Sequence, residues 1–300
     1  MRAAPKWIEF RHYPVVAGTA ILAIAVTIAW WSKLDVSPLF ETAMIRRGEL
    51  WRLVTSIFLH TNLLHLVFNI YWLWVFGTLV EQVYGHLKAV ALIVLFALGS
   101  GALEFAFALG GVGLSGVGYG LFGLLWVLSR HDDRFSDAVD RRTVEIFVLW
   151  FVFCIVTTVA HIFAVGNIAH GAGALLGALT AAAIVLPRRR RLIAASIGII
   201  LLFGLWGSTL GRPRINLSGK AGYEEGKWGY DALVANRNQE AVRWLSDAAI
   251  YQPKLPVYWY DLGIAYQRLG HKTAAEDAYR KAHDLAPNDA KYSEALKELN

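Results

Sequence analysis

The sequence predicts an all-α protein in two parts: a polytopic membrane helical bundle, then a small soluble domain of helical repeats. Three observations carry this. Hydrophobic residues make up 56% of the 300, above the usual share for a soluble domain. That excess lies before residue 211, as apolar runs near the twenty residues that a bilayer span requires. Beyond it the chain turns polar and carries the spacing of a repeat of about 34 residues.

The first element is a short basic segment, 1–13, with Arg2, Lys6 and Arg11. An apolar run over 14–31 follows, and no small-residue cleavage site precedes Ser32-Lys33-Leu34, so it reads as a retained span rather than a leader. Further spans are predicted over 60–80, 88–108, 115–129, 144–164, 168–186 and 192–210. The fourth is short, and the glycine-rich stretch before it is expected to reach membrane depth beside a cavity, because irregular backbone is tolerated there only when protein or water surrounds it. The loop 32–57 is long and amphipathic, which suits the membrane interface.

The net charge of +6 speaks to orientation. Arg130, Arg134, Arg141 and Arg142 fall between spans four and five, and Arg188 to Arg191 between spans six and seven. Arginine collects in cytoplasmic loops. This places the N-terminus in the cytoplasm and the tail outside, in a multi-pass protein of the plasma (inner) membrane. No basic stripe interleaved with aromatics is present, so no nucleic-acid partner is expected. The single cysteine, Cys154, lies in an apolar run and offers neither a disulfide framework nor metal-ligand spacing; no metal or cofactor is expected.

The tail, 212–300, contains Trp259-x-x-Leu262-Gly263-x-x-Tyr266-x-x-x-Gly270, continued by Ala275, Tyr279, Ala282 and Pro287. This is tetratricopeptide spacing, in which small residues let two helices cross closely. One period earlier, Gly229, Ala232, Ala241, Leu245, Ala248 and Pro253 form a decayed copy, with Glu225 and Trp228 in place of the usual residues. A last helix over 288–299 is expected to cap the array. Such a tail serves either as a protein-recognition surface or as a spacer.

Candidate chemistry lies in the membrane part. His65 and Asn69 are one helical turn apart and share a face; polar side chains in a span usually turn inward and can donate to a developing oxyanion or serve as interhelical glue. Ser115 sits in Gly110-Gly111-Val112-Gly113-Leu114-Ser115-Gly116, and His170 lies on a later apolar helix. The pairs Gly116/Gly120 and Gly173/Gly177 allow close helix approach, as packing material or so that a serine reaches a histidine. Spans four and six contain no Asp or Glu, so a base would act without a triad carboxylate.

In these residues the chain resembles the rhomboid intramembrane serine proteases. The matching motifs are Glu49-x-Trp51-Arg52, His65-x-x-x-Asn69, Gly113-x-Ser115-Gly116 and Ala169-His170-x-x-Gly173-x-x-x-Gly177, in order across about 14–186. The resemblance implies a six-helix core, with 187–211 an added basic loop and seventh span. It implies Ser115 as nucleophile, His170 as base, and His65, Asn69 and the Ser115 N–H as oxyanion hole. It also implies Tyr119 stacked on the base, Trp51 and Arg52 as a loop anchor, and Glu81 as a tie between spans. Val112 stands where relatives often carry glycine. Glu104, in span three, is expected to face the cavity and hold water near Ser115; His60 is expected to be structural. The implied partners are the lipid bilayer, transmembrane protein substrates cut near the outer face, and a protein bound by the tail. The competing expectation is a catalytically silent chaperone or adaptor holding clients through its repeats. A channel or transporter is disfavoured, since neither charge rings nor inverted halves are evident.

Overall fold

In a computed structural model describing residues 5–299, seven apolar helices succeed one another between Pro14 and Ser208. Residues 1–4 of the expected N-terminal segment, and Asn300, lie outside the described residues. The first helix, α1 (Pro14–Trp31), begins with proline at N1, where the missing N–H is no loss. The short α2 (Arg52–Thr55) lies in the long loop between spans. The second span, Leu63–Tyr84, is built of α3 (Leu63–Trp72), one π-helical turn (Leu73–Gly77) and α4 (Thr78–Tyr84). Next come α5 (His86–Phe107), α6 (Ser115–Leu128), α7 (Arg141–Val159), α8 (Asn167–Val185) and α9 (Arg190–Ser208). Among the described residues, six spans are long and apolar enough to cross a membrane; α6, with 14 residues, is shorter.

Boundaries differ from the sequence expectation where side chains cap the helices. Asn62 accepts the His65 N–H (2.9 Å), which starts the second span at Leu63 rather than residue 60. Asp140 accepts from both the Thr143 N–H and its hydroxyl (2.8 and 2.7 Å), starting α7 at Arg141. The expectation that this span reaches residue 164 is corrected: α7 ends at Val159. His161 takes a left-handed φ of 57°, and the amides of His161 and Ile162 return to the carbonyls of Thr158 and Thr157. This is a Schellman stop with histidine in the position glycine usually signals.

The core sits around α6, whose residues 116–125 are all buried. On one side, Cβ atoms at Gly116 and Gly120 would strike Ser100 and Phe96 of α5; on the other, Cβ atoms at Gly173 and Gly177 of α8 would strike the Gly116 and Gly120 carbonyls. The crossing of α6 and α8 is therefore backbone against backbone. Glu81, buried, accepts from the Val15 and Val16 amides (2.9 Å each) and contacts His86 (2.6 Å), so it caps α1 from the far end of the second span.

The residues from Arg212 form a separate unit. It comprises α10 (Arg212–Ile215), α11 (Tyr223–Val234), α12 (Asn238–Tyr251), α13 (Pro256–Arg268), α14 (Lys272–Leu285) and α15 (Ala290–Leu299). The pairs α11–α12 and α13–α14 are the two predicted repeats. Gly229 faces Leu245 and Gly263 faces Tyr279, where any Cβ would collide, and Ala232, Ala241, Ala248, Ala265, Ala275 and Ala282 are fully buried.

Candidate active site

The close crossing of α6 and α8 places Ser115, first residue of α6, within reach of His170, fourth of α8: Oγ to Nε2 is 2.8 Å. His170 is buried, and its Nδ1 has no hydrogen-bond partner among the described residues. Packing holds the ring instead. Tyr119 stacks on it at 4.6 Å and 20°, and is itself fixed by donating its hydroxyl to the Phe147 carbonyl (3.0 Å). The stretch before Ser115 turns with left-handed φ at Gly110 (108°) and Gly113 (104°), which L side chains rarely adopt.

Leu114 gives α6 no side-chain cap, so the opening amides, Ser115's included, are available to an anion. His65 leans over this segment: a Cβ on Gly113 would lie 2.7 Å from its Cε1 and Nε2. Asn69 donates to the His65 carbonyl (3.0 Å), leaving the amide group a second hydrogen. His65, Gly113, Ser115, Tyr119 and His170, scattered over more than a hundred residues, thus gather at one place, with Asn69 one helical turn from His65 and Gly116, Gly173 and Gly177 at the crossing of α6 and α8.

Trp51 and Arg52 lie apart from this gathering, in the loop. The buried Arg52 guanidinium donates to the carbonyls of Ser37 (2.6 Å) and Phe40 (3.1 Å) and pairs with Glu49, and the Trp51 indole donates to Pro38 O (3.3 Å). Glu104 neither snorkels to a surface nor stands isolated. It is buried, and its Oε2 accepts the Ala169 N–H at 2.9 Å. A carboxylate at a helix N-terminus is favourable, and the residue capping α8 there, Gly166, offers no side chain of its own.

Two further supports lie outside the glycine stretch, and of these only Glu41 goes unnoticed in the sequence. His60, expected only to be structural, is fully buried; its Nε2 accepts the Leu114 N–H (3.3 Å) while Nδ1 meets the Thr27 hydroxyl (3.3 Å), which donates to the Phe58 carbonyl. This chain of bonds fixes a neutral ring protonated on Nδ1. Glu41 accepts the Gly111 N–H at 2.7 Å. Nothing in the spacing around Glu41 singles it out in the sequence.

The profile of the Rhomboid domain matches residues 47–187, and that of a tetratricopeptide repeat matches 256–289. The chain is 34% identical over 194 residues to the Rhomboid protease GlpG of Salmonella paratyphi A, covering 63% of this chain and 67% of that one. It is also 34% identical over 155 residues to the Rhomboid protease GlpG of Salmonella typhi, covering 50% of this chain and 53% of the relative, and likewise for that of Salmonella newport. It thus spans about half the length of the latter two. With its succession of apolar helices, this is an integral, multi-pass membrane protein. The chain belongs to the rhomboid family of intramembrane serine proteases.

Proposed function

We propose that this protein hydrolyses peptide bonds of transmembrane proteins near the outer membrane face through a Ser115–His170 dyad. The observation that carries the proposal is the 2.8 Å approach of Ser115 Oγ to His170 Nε2 at the start of a short helix. A serine hydroxyl is a weak nucleophile unless a base lies in hydrogen-bond reach, and here one does. Fourteen residues of α6 rise about 21 Å against a hydrocarbon core of about 30 Å, which supports a nucleophile set below the bilayer surface.

Ser115 Oγ attacks the scissile carbonyl carbon as its proton passes to His170 Nε2. The developing oxyanion is met by the Ser115 N–H, His65 and the free hydrogen of the Asn69 amide. His170 then protonates the leaving amine as the C–N bond breaks; water attacks the acyl-enzyme, giving its proton to His170, which returns it to Ser115 Oγ as the C–Oγ bond breaks and the carboxylate product departs. In this reading Glu104 holds the N-terminal turn of α8 under His170, rather than holding water, which its bond to Ala169 supports. The N-terminus lies in the cytoplasm of a plasma membrane and the tail outside, where it binds a protein partner or substrate.

The test is reconstitution of the full chain in liposomes with a single-span reporter carrying small residues near its outer end. Ser115→Ala and His170→Ala should each lower kcat by at least about 10³-fold. Equal cleavage by parent and variants would overturn the mechanism, and client capture without cleavage by any of them would select the adaptor.

A further inference from the structure

We propose that Glu41 is a positioning residue of this site: its carboxylate, together with Ser56, sets the course of the glycine segment that delivers Ser115 and its amide. The proposal rests on the reading of Ser115 as nucleophile. Between the caps of α5 and α6, residues 109–113 form no helical turn of their own, so their course is set by partners elsewhere in the chain. Among the described residues, three acceptors from residues 41–60 take amides of this stretch and of the Leu114 cap. Glu41 Oε2 takes the Gly111 N–H (2.7 Å), the Ser56 carbonyl takes the Gly113 N–H (3.1 Å), and His60 Nε2 takes the Leu114 N–H (3.3 Å). Glu41 Oε1 also accepts the Ser56 hydroxyl (3.1 Å), so Glu41 and Ser56 act as one rigid edge on which Gly111 and Gly113 hang.

The surroundings are shaped for that carboxylate. Glu41 is buried, and a Cβ at Gly101 would stand 2.6 Å from its Oε1, while one at Gly110 would stand 2.9 Å from its Oε2. Two glycines from different parts of the chain thus leave the slot it occupies. The 2.7 Å bond lies at the short end of the range for an N–H donor. It also answers the presence of Val112 where relatives often carry glycine: the backbone on both sides of Val112 is pinned, so its course does not depend on the residue there. Glu41 touches no substrate. Its effect passes through Gly111 and Gly113 to the Ser115 N–H, where a displacement near 1 Å costs on the order of 10² in rate.

The experiment uses the full chain in liposomes and compares Glu41→Ala, Glu41→Asp and Glu41→Gln by steady-state cleavage of the reporter and by amide hydrogen exchange. Alanine and the shorter aspartate should lower kcat about 10–100-fold with KM within about twofold, and glutamine, whose amide oxygen still accepts from Gly111, should keep kcat within about fivefold. Exchange over 108–114 should quicken at least about tenfold in Glu41→Ala and not in Glu41→Gln, with α8 unchanged. Unchanged exchange over 108–114 in Glu41→Ala, a kcat equal to the parent's, or a loss confined to KM would overturn the proposal. Should Glu41→Ala not fold, the aspartate-to-glutamine contrast decides on the same readouts. Failure of the underlying reading shows separately, as Ser115→Ala cleaving like the parent, and the exchange measurement still decides whether Glu41 holds the segment.

Discussion

Tyr119 separates two functions in one side chain. Its ring stacks on His170 and its hydroxyl donates to the Phe147 carbonyl. Tyr119→Phe keeps the stack, so kcat should change only a few-fold while thermal unfolding shows a loss of about 1 kcal/mol for the buried bond. Tyr119→Ala removes the surface that orients an imidazole lacking a partner at Nδ1, and kcat should fall at least about tenfold. Glu104 invites a similar contrast: glutamine can still accept from the Ala169 N–H and should retain most activity, whereas Glu104→Ala should lose about 0.5–2 kcal/mol of stability along with kcat, read by the same two measurements. At this scale the residues proposed to carry the chemistry, Ser115, His170, His65 and Asn69, stand out in the sequence because they are polar in apolar surroundings. The residues that hold them stand out less: His60 is expected to be structural but with no partner named, and Glu41 is not singled out. Glu41 lies 70 positions from Gly111 and His60 lies 54 from Leu114, and both act on backbone amides, which leave no mark in the sequence.

Among the elements, the pairing of α6 with α8 has the least tolerance. A side chain at Gly177 would overlap the Gly120 carbonyl and the Leu124 amide, and neither can rotate aside. Gly177→Ala should therefore separate the helices, with kcat down about 10²-fold and a destabilisation of about 1–3 kcal/mol, seen in reporter cleavage and in thermal unfolding. Gly198 of α9 meets nothing within 4 Å, so Gly198→Ala should be neutral or stabilising by up to about 1 kcal/mol. The apolar helices were legible from length and composition. Their ends were not, since Asn62, Asp140 and His161 decide them through local hydrogen bonds rather than hydropathy.

Across the whole molecule, the tail adds a pH response of its own. Burial raises the Asp261 carboxyl to about 6, against an ordinary 3.8, with Lys291 opposing. Because the folded form then binds its proton more tightly than the unfolded form, the tail's stability falls as pH rises from about 4 to about 6 and is level above that. Asp261→Asn should flatten this slope and raise stability at neutral pH, measured by unfolding at pH 5 and pH 7; an unaltered slope would refute the assignment. Removing the chain after about residue 215 should lower selectivity among several reporters while sparing a generic one, if the tail recruits substrates. The two-part organisation and the second repeat were legible in composition and spacing; the first repeat is blurred because Glu225, buried, replaces an aromatic. The cap that Glu81 places on Val15 and Val16 bears on biosynthesis. The first span enters the membrane with two amides whose protein partner lies 66 residues downstream of Val15. At about 5–20 residues per second, those amides rely on water for roughly 3–13 s, and the start of α1 is completed only when the second span arrives.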